Sequence, residues 1–292
     1  MQQFIDVAPG IRLWTEQRGA ADAAPLLLIM GAQASGIGWP DPLADALAAH
    51  HRVIRYDHRD TGRSTWSFEE RPYRIADLAE DVIAVLDGLG IDRAHIVGMS
   101  LGGMLAQMLL ADHPDRLLSA TLISTMALST TPYTRPDGST VPTDALPGIA
   151  PEILELWARP VEDHGPAAEV ERRIEHWRVL AGDQLPFDEG YFRTFEQQVI
   201  AHTGHHRAGT AHGRADSDGM LRTDRLAKNT VPTLVLNAPA DPVFPPPHPQ
   251  HLAQCIRGAD LAEIPGMGHA LPPAVHPPLA TAILTHTGAP TA

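Results

Sequence analysis

The chain has 292 residues, 43% of them hydrophobic, and a formal net charge of −13 at pH 7. This length permits one large α/β domain or two small ones, and the acidic balance argues against nucleic acid or an anionic membrane surface as a partner. The single cysteine, Cys255, excludes an intramolecular disulfide and a cysteine metal cluster, and the lack of a signal-peptide pattern or of ~20 consecutive apolar residues predicts a cytoplasmic protein without a membrane span.

The first half of the chain alternates predicted strands with predicted helices. Residues 4–7 and 11–15 predict a hairpin that turns at Pro9-Gly10. The continuous apolar run PLLLIM at 25–30 is typical of a strand buried on both faces of a parallel sheet. The elements predicted next are a helix at 41–50, a strand at 53–56, a helix of period 3.6 at 75–89 and a buried strand at 117–124.

Residues 127–228 differ in character from the rest of the chain. They contain prolines and polar loops but no convincing β pattern, with helical stretches near 151–158, 167–181 and 188–203. The sheet pattern resumes at 233–237, followed by a last strand at 261–264 and a closing helix at 276–287. We therefore expect an α/β fold with a mostly parallel sheet covered on both sides, formed by residues 1–126 and 229–292. Residues 127–228 would be a helical cap over the carboxyl edge of the sheet, where such folds bind ligands.

The functional prediction depends on residues 95–111. An apolar run, His95-Ile96-Val97, ends in the G-x-S-x-G motif of residues 98–102, and an apolar helix pattern follows. A strand that turns into a helix through one serine flanked by glycines is a nucleophile elbow. Ser100 should then have a positive φ, and a side chain at Gly98 or Gly102 would collide with the neighbouring strand or helix. The alternative is a tight glycine turn whose serine only caps the helix.

A serine hydroxyl needs a base, and the base needs an orienting acid. The chain order Ser…Asp…His is the one expected on this architecture. We predict His269, in the loop PGMGH after the last strand, as the base, and Asp241, in the turn after strand 233–237, as the acid. The strand at 117–124 is followed by no carboxylate, and Asp260 precedes the last strand. The alternative for His269 is a hydrogen-bonded loop histidine.

The oxyanion of an acyl-transfer reaction needs two main-chain N–H groups. One should come from Leu101, the residue after the nucleophile, and the other from the loop after the strand at 25–30. We choose Ala32 for the second donor, with Gln33 as the next choice.

Other polar and aromatic residues each have a functional and a structural interpretation. The charged loop DHRDTGRS at 57–64 has two interpretations. It either braces the loop after the strand at 25–30, which carries Ala32 and is called the oxyanion loop below, or it is a structural turn that satisfies its own charges, and we favour the structural role. The histidines at 202, 205, 206 and 212 could suggest a metal, but we see no cysteine or carboxylate placed to complete a site, so we expect a solvated loop and no metal site. Cys255 is expected to be a packed small residue. The four tryptophans that could line a pocket or belong to the core are Trp39, Trp66, Trp157 and Trp177.

Three motifs together resemble the α/β-hydrolase superfamily over nearly the whole chain: GMSLGG at 98–103, ADP at 240–242 and PGMGH at 265–269. This resemblance implies a mostly parallel eight-stranded sheet with helices on both faces and a helical cap. Three longer segments, MGAQASGIGWPD (30–41), RYDHRDTGRS (55–64) and LAEIPGMGHALP (261–272), are similar to the aclacinomycin (anthracycline) methylesterases. Those are serine esterases that remove a methyl ester from a tetracyclic aglycone, so the resemblance implies a small-molecule ester substrate and no cofactor.

Two departures from the wider family matter. Many relatives carry His-Gly before the oxyanion residue, whereas this chain has Met30-Gly31, so the hydrogen bond of that histidine is missing while the main-chain N–H remains. Haloalkane dehalogenases and epoxide hydrolases have aspartate where Ser100 stands, so the resemblance to them fails at the nucleophile.

The sequence therefore predicts a carboxylic ester hydrolase that works through an acyl-enzyme, as a methylesterase on a bulky polyketide or another hydrophobic ester. The same triad also serves cofactor-free haloperoxidases (perhydrolysis), C–C hydrolases and acyltransferases, and these stay as alternatives. An alternative of another class is a hydrolase-fold ligand receptor that turns over slowly. A homo-oligomer is compatible with the sequence. No pattern in the cap identifies the residues that line the pocket.

Overall fold

The computed structural model describes residues 1–160, 162–207 and 209–289. Its strands and α-helices in this part of the chain are, in order, β1 (Gln2–Ala8), β2 (Ile11–Arg18), β3 (Pro25–Ile29), α1 (Asp41–Ala48), β4 (Arg52–Tyr56), α2 (Ile75–Gly88), β5 (Ala94–Met99), α3 (Leu101–Asp112), β6 (Leu117–Ile123), β7 (Tyr133–Thr134), β8 (Thr140–Val141), α4 (Pro151–Ala158), α5 (Pro166–Leu180), α6 (Glu189–Thr203), α7 (Ala211–Arg214), α8 (Thr223–Leu226), β9 (Thr233–Asn237), α9 (His248–Cys255), β10 (Ala259–Glu263) and α10 (His276–Thr287).

Eight strands form one sheet in the order β1-β2-β4-β3-β5-β6-β9-β10. The strand pairs β1–β2 and β2–β4 are antiparallel, and every pair from β4 to β10 is parallel. Strands β5 and β9 are buried along their whole length, which is why their sequences are mainly apolar and show no alternation. The predicted mostly parallel, eight-stranded α/β fold is confirmed.

Helices cover both faces of the sheet. The helices α1 and α10 pack on one face, and α2, α3 and α9 pack on the other. In α2 the buried positions include Ile75, Leu78, Val82, Val85 and Leu86, which follow the predicted helical period. Helix α3 is buried on almost all sides, so the residues that follow the predicted nucleophile are fixed by core packing.

The segment between β6 and β9, residues 124–232, contains α4 to α8 and a small hairpin, β7–β8; we call this segment the insertion. Helices α4, α5 and α6 lie within one or two residues of the predicted bounds. The expectation of no β structure here is wrong for β7 and β8, because strands of two residues are too short to carry a sequence period. None of the helices in the described ranges has the length and hydropathy that crossing a bilayer requires.

Candidate active site

Ser100 occupies the turn between β5 and α3 with φ 56° and ψ −120°, so the predicted positive φ is confirmed. Its N–H donates to the Ile123 carbonyl oxygen at 3.0 Å, which fixes the turn to the neighbouring strand. A Cβ on Gly98 would lie 2.2 Å from the Gly102 carbonyl oxygen, and one on Gly102 would lie 2.1 Å from the Ile29 carbonyl oxygen. The Ser100 side chain makes no capping hydrogen bond to α3, which argues against the helix-cap alternative. A residue other than glycine keeps a strained positive φ only when its surroundings enforce it, and such residues cluster at functional sites.

The imidazole of His269 and the carboxylate of Asp241 form a buried pair. Nδ1 of the ring lies 3.0 Å from Oδ1 and 2.9 Å from Oδ2. Oδ1 also accepts the main-chain N–H groups of Val243 at 2.8 Å and Phe244 at 3.0 Å. Burial alone raises the pKa of the Asp241 carboxyl, but the charge and hydrogen bond of His269 and the two N–H donors outweigh it, so this pKa lies below its ordinary value. The carboxylate is therefore ionised at neutral pH and holds the proton of the ring on Nδ1.

The loop that carries His269 rests against the carboxyl end of α5. The His269 N–H donates to the Leu180 carbonyl oxygen at 2.7 Å. A Cβ on Gly268 would lie 2.3 Å from the Ala181 carbonyl oxygen, so only glycine allows this approach. The main chain of the insertion thus fixes the position of the imidazole-bearing loop.

The three predicted triad residues follow three strands of the same parallel sheet. Ser100 follows β5, Asp241 follows β9 and His269 follows β10. The carboxyl ends of parallel strands meet at one edge of a sheet, where ligands bind in this class of fold. The structure joins Asp241 to His269 directly, whereas no hydrogen bond links the Ser100 hydroxyl to the imidazole within the described ranges.

The loop after β3 lies against the serine. A Cβ on Gly31 would be 3.2 Å from Cβ and 3.6 Å from Oγ of Ser100. The main-chain N–H groups of Ala32 and Leu101, the two predicted oxyanion donors, donate to no other group among the residues that the structure describes. Both are therefore available to a substrate oxygen.

Two histidines hold this loop from either side of Ala32. The Gln33 N–H donates to Nδ1 of His212 at 2.8 Å, so the second choice for an oxyanion donor is already occupied. Nε2 of His58 donates to the Met30 carbonyl oxygen at 2.9 Å. Burial, the largest cause, lowers the pKa of His58 to about 3 and keeps its ring neutral.

Asp57 braces the far end of the same loop. Its carboxylate has no solvent exposure and accepts hydrogen bonds from Oγ of Ser35 at 2.5 Å and from the N–H of Gly36 at 2.7 Å. It also accepts from the Arg63 N–H at 2.7 Å and from Nε2 of His202 at 2.8 Å. The contacts of Asp57 with Ser35 and Gly36 therefore agree with the bracing alternative for loop 57–64 and not with the self-satisfied charged turn that we favoured.

The expectation of a solvated histidine loop is wrong for two of its four members. His202 bonds to Asp57, and His212 is 5% exposed. His206 pairs with the exposed Asp163 at 2.8 Å. The described ranges contain no group of three or more His, Cys, Asp or Glu suited to a metal ion. Sequence reasoning missed the supporting roles of His202 and His212 because their partners are far away in the chain, and it named the bracing role of loop 57–64 only as an alternative.

Aromatic side chains occur on α4 of the insertion and, after β9, beside the imidazole of His269. Trp157 of α4 is 50% exposed and donates its Nε1–H to Nε2 of His176 on α5 at 2.8 Å. His176 lies one helical turn before Leu180, whose carbonyl oxygen accepts from the His269 N–H. Burial and neighbouring charges, His269 among them, lower the pKa of His176 to about 4. The Phe244 ring lies 5.8 Å from the His269 ring, between centroids. Trp39, by contrast, is fully buried in the core.

Comparison with known proteins gives a family match and close relatives. The profile described as alpha/beta hydrolase fold matches residues 24–272. Rhodomycin D methylesterase DauP of Streptomyces sp. (strain C5) is 42% identical over 287 residues, 96% of each chain. Rhodomycin D methylesterase DnrP of Streptomyces peucetius is 41% identical over 289 residues, again 96% of each chain. A putative carbamate hydrolase of Variovorax paradoxus (strain S110) is 30% identical over 87% of this chain and 88% of its own.

Solved structures agree with the fold. A hydrolase from Pseudomonas aeruginosa PA01 has a TM-score of 0.70 and 26% identity, covering 99% of this chain and 98% of its own. The esterase RhEst1 from Rhodococcus sp. ECU1013, at 20% identity, has a TM-score of 0.74 and covers 98% of both chains. The predicted similarity to a methylesterase group is confirmed by the relatives above. From its sheet, its nucleophile-elbow turn and these matches, the chain belongs to the α/β-hydrolase family.

Proposed function

We propose that this protein is a carboxylic ester hydrolase in which Ser100 is the nucleophile, His269 the general base and Asp241 the orienting acid. The observation that carries the proposal is the buried Asp241–His269 pair at the sheet edge where Ser100 sits with φ 56°. An ionised carboxylate that fixes Nδ1–H leaves Nε2 free to accept a proton, which is the state a general base needs. We also propose the domain boundaries expected from the sequence, in which residues 1–126 and 229–292 form the core and residues 127–228 form the cap.

In the proposed reaction His269 takes the proton of Ser100 while Oγ attacks the ester carbonyl carbon. The N–H groups of Ala32 and Leu101 donate to the resulting oxyanion, and each such donor is worth on the order of 10²–10³ in kcat. His269 then protonates the leaving alcohol, and an acyl-enzyme remains. The same imidazole removes a proton from water, which releases the carboxylic acid and restores Ser100. The balance is ester plus water to acid plus alcohol.

For the substrate we propose a methyl ester on a bulky hydrophobic molecule of the polyketide class. Two relatives that match 96% of this chain are named rhodomycin D methylesterases. The ring of Phe244 beside His269 offers an apolar surface of the kind against which flat aromatic ligands pack.

The test compares Ser100→Ala with wild type on a chromogenic acyl ester and on a bulky aromatic methyl ester, with methanol release as the second readout. We expect normal folding by thermal melting and a loss of hydrolysis of at least about 10³-fold. Ser139→Ala, at an exposed turn, is the matched control and should keep full activity. Retention of most of the activity in Ser100→Ala would refute the mechanism. Faster turnover with peroxide or an alcohol than with water would instead favour perhydrolysis or acyl transfer.

A further inference from the structure

His212, on α7 of the insertion, contacts the loop that carries the proposed oxyanion donor Ala32. Its Nδ1 accepts the main-chain N–H of Gln33 at 2.8 Å, across 179 positions of sequence. Its Nε2 lies 3.0 Å from the Arg59 carbonyl oxygen. The side chain is only 5% exposed, so water has little access to replace either contact. His212 takes no part in the proton transfers of the proposed reaction, so its burial against this loop needs another explanation.

The two contacts of His212 require one protonation state. The Gln33 N–H can only donate, so Nδ1 must carry no proton, and the Arg59 carbonyl can only accept, so Nε2 must carry one. Only the neutral Nε2–H tautomer satisfies both partners. The ring also faces His58, at 5.5 Å between centroids, and Tyr73, at 6.3 Å. Burial lowers the pKa of His212 to about 4, in agreement with a neutral ring.

The residue that His212 holds has a strained backbone. Gln33 has φ 61°, a conformation that a non-glycine residue keeps only when its surroundings enforce it. At the other end of the short loop the Met30 carbonyl is held by His58. Ala32 lies between these two fixed points, so the direction of its N–H depends on both hydrogen bonds. An oxyanion donor works only within about 2.7–3.1 Å of the developing charge, so a small rotation of this peptide removes its effect.

A second contact ties the same loop to the insertion. Nε2 of His202 bonds to the Asp57 carboxylate, which in turn accepts from Ser35 and Gly36. The insertion therefore reaches the oxyanion loop at two places through side chains. Of the two, the His212 contact is the direct one, because it binds the main chain next to Ala32.

We propose that His212 is a positioning residue that holds the oxyanion loop from the insertion, so that the Ala32 N–H points at the developing oxyanion. The inference rests on the proposed ester-hydrolase function. In this arrangement the oxyanion hole is complete only when the insertion is docked on the core.

Three substitutions separate the two contacts of the ring. In His212→Asn the side-chain oxygen can take the place of Nδ1 and accept from Gln33. In His212→Gln the amide nitrogen can take the place of Nε2 and donate to the Arg59 carbonyl, and the amide oxygen then lies one bond further out than the Nδ1 position from which Gln33 is bound. His212→Leu removes both contacts. The matched control is His251→Leu, since His251 is 2% exposed and bonds to the Thr131 carbonyl instead of the oxyanion loop.

The measurements are kcat and KM for a chromogenic ester, with thermal melting of every variant. We expect kcat of the Gln and Leu variants to fall at least about tenfold, toward the ~10²–10³-fold loss of kcat that follows removal of one oxyanion donor. The KM should stay within about twofold of wild type. The Asn variant should recover kcat to within about threefold of wild type. His251→Leu should lower the melting temperature without lowering kcat.

Equal losses of kcat in the Asn and Gln variants, unchanged kcat in the Leu variant, or a rise in KM alone would each overturn the inference. A fall in kcat for His251→Leu as large as that for His212→Leu would also overturn it, because the effect would then follow stability. A wild-type protein that hydrolyses no ester would refute the proposed function itself. An active wild type with an equally active His212→Leu would refute only the positioning role.

Discussion

Acid should destabilise this protein through its buried histidines, and His58 is the clearest case. The ring is 1% exposed, and its pKa is lowered to about 3, mainly by burial. Nε2 donates to the Met30 carbonyl and Nδ1 lies 3.2 Å from the Tyr56 hydroxyl, so a second ring proton would displace the bond from that hydroxyl. In the unfolded chain the ring titrates near 6.5. Below pH 6.5 the unfolded chain binds more protons than the folded protein, so the free energy of unfolding falls until the pH reaches about 3.

The size of this effect follows from the two pKa values. Each pH unit between them removes about 1.4 kcal/mol from the free energy of unfolding. At pH 5 the contribution of His58 is a loss of about 2 kcal/mol relative to neutral pH. Burial lowers the pKa of His212 to about 4, so His212 adds a similar loss. Together they remove a large part of the 5–15 kcal/mol that is typical for a folded domain.

The assay is urea unfolding, followed by tryptophan fluorescence, at pH 7.5 and pH 5.0 for wild type and His58→Gln. The glutamine amide can keep the donor to the Met30 carbonyl but has no group that titrates in this range. Between the two pH values, wild type should lose about 2 kcal/mol more than the variant. If both proteins lose the same free energy within about 0.5 kcal/mol, the buried neutral state of His58 is refuted as a source of acid lability.

Three further substitutions test the site. Asp241→Asn should lower kcat by about 10⁴-fold at pH 7, because an amide facing Nδ1 moves the ring proton of His269 to Nε2; steady-state hydrolysis within about tenfold of wild type would contradict this role. Asp57→Ala leaves four donors without an acceptor, two of them fully buried, and should cost about 3–5 kcal/mol in urea unfolding; a cost below about 1 kcal/mol would show that the carboxylate does not brace the loop. Gly268→Ala places a Cβ 2.3 Å from the Ala181 carbonyl and should lower kcat at least about tenfold, and an unchanged kcat would mean that the loop tolerates displacement.

The parallel core could be predicted because its signals are local. The run PLLLIM becomes β3, Pro25–Ile29, and the last predicted strand differs from β10 by two residues at its start. Helix α9 could not be predicted in the same way, because its buried positions include His248, Pro249 and His251 and so show no apolar period. Tertiary packing, rather than the local pattern, decides such an element.

The same division holds for the site. The elbow serine could be placed because strand, turn and helix follow one another within about fifteen residues. The supporting contacts join residues that are distant in sequence: 145 positions separate His202 from Asp57, and 179 separate His212 from Gln33. Pairings of that kind have no sequence period, and a charged loop or a run of histidines does not reveal which partner it will meet.

The bond between the Leu180 carbonyl and the His269 N–H ties the proposed catalytic base to the insertion. If the insertion swung away as a single lid, the imidazole-bearing loop would lose its support each time the pocket opened. For the proposed hydrolase we therefore expect substrate entry and product release to leave the end of α5 in place. For chimaeras that exchange insertions between relatives, the graft needs to preserve this junction as well as the pocket lining, or specificity and turnover will change together.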